Sequence, residues 1–300
     1  MSIATSIMTT FRGVNFSLQD AYDLYYPKYA KQTIRARIYE KLGISFKRVG
    51  RGIYTTTLEN ESVALVEGDG RNLSFLKDSS IDCIITDHAW SDEKANKGGN
   101  RNFATYDTFK YTLEDFKEKA RVLKPGSFLV ECVPSETETN YEYLYKIKEM
   151  AKEAGFLYYA KVPWKKGTQI NNTGRKSKNT EDILIFSLGK ARNLRPDAKK
   201  NKAEPNVEHF MSGANGMLPT EFDVQPPKSK IHQSEKPVGL IEQLLDFFTK
   251  EDELVLDQFA GSGVVGEACI NKGRKCILIE IAQEFIRKIC ERLHLTAACI

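Results

Sequence analysis

The chain has 300 residues, of which 41% are hydrophobic and 28% are charged, a composition typical of a globular protein. Its net charge of +4 permits a nucleic-acid partner without requiring one. No apolar run approaches the roughly 20 residues of a membrane span, and MSIATSIMTTFRG lacks the regions of a signal peptide. We therefore expect no membrane partner.

The six cysteines and four histidines are scattered along the chain. No two cysteines form a CxxC pair, and the histidines do not complete a metal-ligand set with them. Several cysteines lie inside apolar, strand-like runs. This pattern predicts reduced core cysteines in a protein of the cytoplasm, without a metal ion.

The first sixty residues, 1–60, are predicted to form a module of their own. Ser17 and Asp20 make a helix-capping pair, and KYAKQTIRARIYEKLG predicts a second helix. ISFKRVGRGIYTTTL predicts a β-hairpin that turns at GRG. Two helices and a hairpin indicate a winged helix-turn-helix that binds DNA, with a small packing domain of solvated charges as the alternative. The candidate phosphate contacts are Arg35, Arg37, Arg48 and Arg51.

Strands and helices alternate over residues 61–300. SVALVEGDG, SSIDCIITDHAW, SFLVECV, FLYYAKVPW and DILIFSLG predict strands, whereas YTLEDFKEKARVLKPG and LYKIKEMAKEAG predict helices. The run IDCII is almost continuously apolar, which indicates a strand buried on both faces of a parallel sheet. The predicted fold class is therefore α/β, with a doubly wound, mostly parallel sheet.

Residues 165–230 are rich in Lys, Arg, Asn, Gly and Pro and show little apolar periodicity. We expect long surface loops that recognise the target by presenting a basic surface to the DNA backbone. A disordered linker is the alternative. The candidate DNA contacts are Lys165, Lys166, Arg175 and Lys176.

A strand, a glycine loop, a helix and a second strand follow one another in LVLDQFAGSGVVGEACINKGRKCILIE. Glycines let the backbone turn and approach a ligand, and the start of the helix offers N–H groups to an anion. Glu280 ends the second strand, where its carboxylate can accept hydrogen bonds from two ribose hydroxyls. A dinucleotide and S-adenosylmethionine both fit this unit. Since few residues follow it here, we expect the other strands to precede it, in a permuted order.

This unit resembles the Asp-Pro-Phe-x-Gly-Ser-Gly motif of amino-group DNA methyltransferases, with Gln258 in place of the proline. HQSEKPVGLIEQLLDFF resembles the segment before that motif, and IDCIITDHAW resembles the catalytic strand, whose loop usually reads Asp-Pro-Pro-Tyr. Over residues 63–293 the order is similar to that of the permuted β group. The resemblance implies a Rossmann-like enzyme that transfers a methyl group from S-adenosyl-L-methionine to an exocyclic amine of a flipped base in double-stranded DNA.

The resemblance also implies roles for individual residues. Asp87, the carbonyl of His88 and the ring of Trp90 would hold the flipped base. Adenine N6 is the preferred target because the loop begins with Asp, and cytosine N4 stays open. A cognate restriction endonuclease and a homodimer are further partners that the resemblance allows. The implied cofactor contacts are Asp69, Asp87, His232, Ser234, Lys236, Asp257, Phe259, Gly261, Gly263 and Glu280.

The loop DHAW lacks both prolines of the family pattern. Two prolines would fix the backbone next to Asp87, so His88 and Ala89 predict a softer loop. The side chain of His88 is expected either to contact a phosphate or to fill the surface. Two other functions stay open: a DNA-binding regulator whose chemistry has decayed, and, from the glycine pattern alone, a nicotinamide-dependent oxidoreductase.

Overall fold

The computed structural model describes residues 3–11, 15–42, 46–56, 62–89, 108–170, 176–195, 213–227, 234–293 and 295. The chain divides into two compact units, Met1–Asn60 and Glu61–Ile300. No helix in these described ranges is long and apolar enough to cross a membrane.

The described residues of the N-terminal unit form three helices and a small antiparallel sheet with the strand order β1-β3-β2. Ser17 and Asp20 form the predicted capping box at the start of the second helix, and Gly52 lies in the hairpin turn with φ +73°. In chain order the elements are α1 (Ile3–Thr10), β1 (Phe16–Ser17), α2 (Leu18–Tyr25), α3 (Lys31–Glu40), β2 (Phe46–Gly50) and β3 (Ile53–Thr56).

The core of this unit joins all three helices to the sheet. Ile7 of α1, Ile34 and Ile38 of α3 and Phe46 of β2 are fully buried in one cluster. The sequence analysis did not predict α1, whose short apolar segment precedes any clear periodicity. The winged-helix character of the unit stays a prediction.

The C-terminal unit is built on an eight-stranded sheet with the order β4-β11-β10-β5-β6-β8-β7-β9. Parallel pairs join the first five strands of this order, β4-β11-β10-β5-β6. The next strand, β8, runs antiparallel to both β6 and β7. The strands are β4 (Val63–Glu67), β5 (Ile81–Thr86), β6 (Leu123–Pro134), β7 (Phe156–Ile170), β8 (Lys176–Leu188), β9 (Phe222–Asp223), β10 (Leu254–Asp257) and β11 (Lys275–Glu280).

Helices cover both faces of this sheet. Cys83 and Ile85 of β5 pack in one core cluster and Ile84 in the other, because successive side chains of a strand point to opposite faces. The helices are α4 (Leu113–Val122), α5 (Tyr141–Glu153), α6 (Val238–Phe248), α7 (Val264–Lys272) and α8 (Gln283–Leu293). The predicted doubly wound, mostly parallel α/β fold is confirmed.

The predicted loops over 165–230 need correction. Residues 165–170 extend β7 and residues 176–182 belong to β8, and these two strands pair from Phe156↔Leu188 to Ile170↔Lys176. Backbone pairing along the hairpin forms these strand ends without any apolar periodicity in their sequence. Residues 171–175, 196–212 and 228–233 lie outside the described residues.

The permuted strand order positions the functional site. β10 lies late in the chain but pairs in parallel with β5, with the register Val255↔Cys83 and Leu256↔Ile84. The carboxyl ends of both strands therefore meet at one edge of the sheet, where ligands bind in open α/β folds. Asp87 follows β5 at this edge, and Asp257 ends β10.

Candidate active site

The glycine loop after β10 is fixed against the end of β11. Gly261 and Gly263 adopt φ of +49° and +75°, the left-handed region that favours glycine. The Glu280 carboxylate accepts hydrogen bonds from the N–H groups of Gly261 and Ala282, both at 2.8 Å. Burial raises the pKa of Glu280, and these two N–H groups lower it in part. The structure thus joins Gly261 to Glu280, and Gly263 lies in the same glycine loop.

A close backbone approach joins the loop after β4 to the same site. A Cβ built on Gly70 would lie 1.9 Å from the carbonyl oxygen of Gln258 and 2.7 Å from the ring of Phe259. Only a residue without a side chain fits there. Asp69 is paired with Arg71 at 2.7 Å, and these hydrogen bonds lower its pKa. Asp69 and Phe259 therefore lie on adjoining loops.

Asp257 is a buried carboxyl at the centre of this edge. Burial raises its pKa to about 7, although the N–H of Phe259 donates to its Oδ1 at 3.2 Å. The charges of Asp87 and Glu280 raise the pKa further. Three carboxyl groups thus influence one another where β5, β10 and β11 end.

Asp87 is held by a lysine from the segment before α6. Lys236 donates to Oδ2 of Asp87, lies 3.2 Å from Oε2 of Glu181 and also donates to the Ser234 carbonyl at 3.2 Å. The side chain of Lys236 is 6% exposed and that of Asp87 is 31% exposed. Burial raises the pKa of Asp87, while the ammonium of Lys236 lowers it. The structure thus joins three predicted residues, Asp87, Ser234 and Lys236.

His88 does not occupy either environment predicted for its side chain. It is 3% exposed, so contact with a phosphate and a surface-filling role are both wrong. Its Nε2 lies 2.8 Å from the hydroxyl of Tyr143, and its ring centroid lies 4.1 Å from that of Tyr111. The residues before α4 and the first turn of α5 cover the end of β5 and bury the histidine.

The predicted DNA contacts whose side chains are described fall into two groups, exposed arginines of the N-terminal unit and lysines of β7 that are paired with carboxylates. Arg35, Arg48 and Arg51 are exposed in the N-terminal unit, and Arg37, also exposed, pairs with Glu40. Lys165 pairs with Asp223 at 2.8 Å, and Lys166 pairs with Glu181, so neither lies in a loop. Trp90, Arg175 and His232 lie outside the described residues, and of Lys176 only the backbone position in β8 is described.

A family model described as DNA methylase (N6_N4_Mtase) matches residues 81–291, the part of the chain that carries this site. The chain belongs to this DNA methylase family. It is 31% identical over 229 residues to the type II methyltransferase M.HpaI of Haemophilus parainfluenzae, covering 74% of this chain and 70% of that protein. It is 24% identical to the type II methyltransferase M2.LlaDCHI of Lactococcus lactis subsp. cremoris, covering 79% and 91%.

Solved methyltransferases share the fold. The M1.HpyAVI–SAM complex has a TM-score of 0.52 and 22% identity, covering 77% of this chain and 100% of that one. The cytosine-N4-specific PvuII DNA methyltransferase has a TM-score of 0.56 and 18% identity, covering 80% and 88%. Together with the family match, these comparisons confirm the predicted class of enzyme, an S-adenosylmethionine-dependent DNA amino-methyltransferase.

Four further polar residues lie beside the site and were not predicted from the sequence: Tyr111, Lys119, Glu131 and Glu181. Lys119 and Glu131 are fully buried and 2.9 Å apart. A signal was present for Glu131, because it is the one charge in the otherwise apolar strand SFLVECV. A charged residue in such a run is rarely buried unless it is paired.

Proposed function

We propose that the chain methylates adenine at N6 in double-stranded DNA, with Asp87 as the residue that binds the target amine. The observation that carries this proposal is the parallel pairing of β5 with β10. It puts the carboxylate of Asp87 at the same sheet edge as the glycine loop and Glu280. A bound cofactor and a flipped base can meet there.

The chemistry requires positioned acceptors. An exocyclic amine is a poor nucleophile because its lone pair is delocalised into the ring. Asp87 and the His88 carbonyl, by accepting hydrogen bonds from the two N–H groups, favour the tetrahedral form of the nitrogen, whose lone pair can attack. S-adenosylmethionine, when bound, supplies a methyl group on a positively charged sulfonium. The new N–C bond replaces the C–S bond, whose electron pair stays on sulfur, and the methylated amine loses one proton to solvent.

Lys236 has a positioning role in this proposal. Asp87 must be ionised to accept a hydrogen bond from the amine, and burial opposes its ionisation. Lys236 offsets that cost by donating to Oδ2. Because a carboxylate has two oxygens, Oδ1 can accept the target amine.

The glycine loop and its neighbours fit S-adenosylmethionine. The Glu280 carboxylate can accept ribose hydroxyls in addition to its two backbone donors, since each oxygen has two lone pairs. Gly70, at which a Cβ would collide with the glycine loop, lets the two loops meet. We assign Glu280 to the ribose and Asp69 and Phe259 to the adenine side. The other proposed cofactor contacts are Asp87, His232, Ser234, Lys236, Asp257, Gly261 and Gly263.

The N-terminal unit would add affinity for the DNA backbone. Its order of elements, with two consecutive helices followed by a hairpin, supports a winged-helix role, and Arg35, Arg48 and Arg51 are exposed on it. Lys165, Lys166, Arg175 and Lys176 are proposed as further contacts near the target. Trp90 would stack on the flipped base. A cytoplasmic location, a cognate endonuclease and a homodimer stay predictions.

The test is to incubate the protein with duplex DNA and S-adenosylmethionine labelled in its methyl group. We expect label in N6-methyladenine after digestion to nucleosides, and loss of at least about 100-fold in rate for Asp87→Ala. Thermal unfolding of Asp87→Ala, compared with the wild type, controls for folding. Label in N4-methylcytosine would move the target to cytosine. DNA binding without transfer by the wild type would favour the decayed regulator.

A further inference from the structure

A fully buried ion pair lies behind the proposed active site. Nζ of Lys119, on α4, is 2.9 Å from Oε1 of Glu131, on β6, and neither side chain has any solvent exposure. Burial raises the pKa of Glu131, but the ammonium of Lys119 and the contacts with His88 together outweigh burial, and the pKa is lowered. Buried ion pairs seldom stabilise a fold more than apolar residues of the same volume would. A contribution to folding stability therefore does not explain why this ion pair is buried beside the active site.

One branch of hydrogen bonds leads from the pair to the cofactor side. Lys119 donates to Oε1 of Gln258, the residue that follows β10. The amide nitrogen of Gln258 donates to the carbonyl of Gly70 at 2.6 Å. The side chain of Gln258 therefore joins the ion pair to the two loops whose backbones meet at Gly70.

A second branch leads from the same pair to the catalytic loop. The Tyr111 hydroxyl accepts from Lys119 at 3.2 Å and donates to Oε2 of Glu131 at 3.3 Å. The Tyr111 ring packs against the His88 ring, with centroids 4.1 Å apart and the ring planes tilted by 37°. The Tyr143 hydroxyl contacts Nε2 of His88 at 2.8 Å and accepts from the Tyr111 N–H at 3.0 Å.

We infer that these six residues, the buried network of His88, Tyr111, Lys119, Glu131, Tyr143 and Gln258, position the catalytic loop relative to the glycine loop. The inference rests on the proposed function and deepens it. His88 and Gln258, the two ends of the network, are two of the three positions where the chain lacks a proline of the family motifs; the third is Ala89. In this chain, hydrogen bonds to a shared ion pair restrain the two loops. In the family pattern, prolines would restrain the same loops by fixing φ.

If the network couples the two loops, a substitution in one loop should increase amide exchange in the other. Gln258→Met removes both hydrogen bonds of the amide at similar side-chain length. His88→Phe keeps an aromatic ring but loses the polar contacts with Tyr143 and Glu131. We expect amide exchange to rise about tenfold in residues 84–89 of Gln258→Met, and in residues 258–263 of His88→Phe. A tenfold change corresponds to about 1.4 kcal/mol, the size of one buried hydrogen bond.

Hydrogen exchange followed by mass spectrometry measures both loops in the whole protein. Thr249→Val is the matched control: Thr249 is buried and donates to the Leu245 carbonyl at 2.6 Å, and it shares no hydrogen bond with the network. His88→Gln, which keeps a polar group toward Tyr143, should restore slow exchange. The inference is overturned if each substitution raises amide exchange only in the loop that carries it. It is also overturned if Thr249→Val raises exchange in both loops as much as the network variants do.

Kinetics separate positioning from a general loss of structure. In calorimetry and rate measurements, His88→Phe should lower kcat about tenfold while the Kd for S-adenosylmethionine stays within about twofold. Gln258→Met should weaken cofactor binding about tenfold and also lower kcat at saturating cofactor. Equal losses of both quantities in His88→Phe would count against positioning. If Asp87→Ala transfers methyl groups as well as the wild type, the proposed function fails, but the exchange experiment, which needs no turnover, still decides the network.

Discussion

Lys236 donates to Oδ2 of Asp87 and lies 3.2 Å from Oε2 of Glu181, so one buried ammonium serves two carboxylates. Glu181 is also paired with Lys166 on the neighbouring strand. The two cations lower the pKa of Glu181 despite its burial. Four alternating charges thus lead from the proposed catalytic carboxylate to β7, and the charge on Asp87 depends on Lys236.

Lys236→Met should shift the pH dependence of methyl transfer. Burial already raises the pKa of Asp87, and loss of the cation that opposes it raises the pKa further. Since the amine needs the ionised carboxylate, the rate at neutral pH should fall about tenfold or more and recover as the pH rises. Lys236→Arg should keep most of the activity at neutral pH. The measurement is kcat against pH at saturating substrates.

Lys124→Met supplies the control for this change. Lys124 pairs with Asp82 at 2.7 Å near the beginning of β5, so the substitution removes the same charge at the opposite edge of the sheet. Its pH profile should match that of the wild type. A Lys236→Met profile that is lower but parallel to the wild type would show that Lys236 does not act through the ionisation of Asp87.

Asp257→Asn should change how stability depends on pH. The folded state raises the pKa of Asp257 from 3.8 to about 7, so between these values it binds more protons than the unfolded state. Its contribution to stability is complete below about pH 4 and is lost as the pH rises to about 7. The asparagine keeps an oxygen for the Phe259 N–H but does not titrate. Urea unfolding from about pH 4 to about pH 8 should show the wild type losing on the order of 1 kcal/mol per pH unit relative to Asp257→Asn. Parallel stability curves would contradict the raised pKa.

Local pattern predicted the sheet and the position of Asp87, but not the surroundings of His88. The continuous apolar run before Asp87 and the glycine unit before Glu280 identify two strands whose carboxyl ends share an edge. The burial of His88 depends on Tyr143, which lies 55 residues away on α5. The partner of Lys166 depends on the register of a hairpin that pairs Trp164 with Glu181. Such contacts are set by tertiary packing, so no local pattern in the sequence contains them.

Gly70→Ala should disrupt the cofactor site. The new Cβ would lie 1.9 Å from the Gln258 carbonyl oxygen, and because that atom is backbone, the loop itself must shift. Overpacking of this kind lowers the free energy of unfolding by about 1–3 kcal/mol. We expect the affinity for S-adenosylmethionine to fall as well, even where the variant is fully folded, because the shifted loop belongs to the cofactor site. Gly68→Ala is the matched control, since a Cβ there has no atom within 4 Å. Thermal unfolding and calorimetry with S-adenosylmethionine compare the two variants, and equal behaviour would contradict the close approach.

Arg48→Ala combined with Arg51→Ala should weaken DNA binding without changing cofactor binding. Both arginines are exposed at the hairpin of β2 and β3. An arginine that neutralises one phosphate contributes about 0.9 to the magnitude of the slope of log affinity against log salt. The removal of each arginine should therefore reduce that magnitude by about 0.9. The control removes two lysines of the C-terminal unit, Lys117 and Lys288, whose side chains are 50% and 37% exposed, and so makes the same change in net charge. Filter binding of duplex DNA at several salt concentrations should show a reduced slope for the arginine pair alone. The same reduction in both double variants would mean that net charge, and not binding by the N-terminal unit, attracts the DNA.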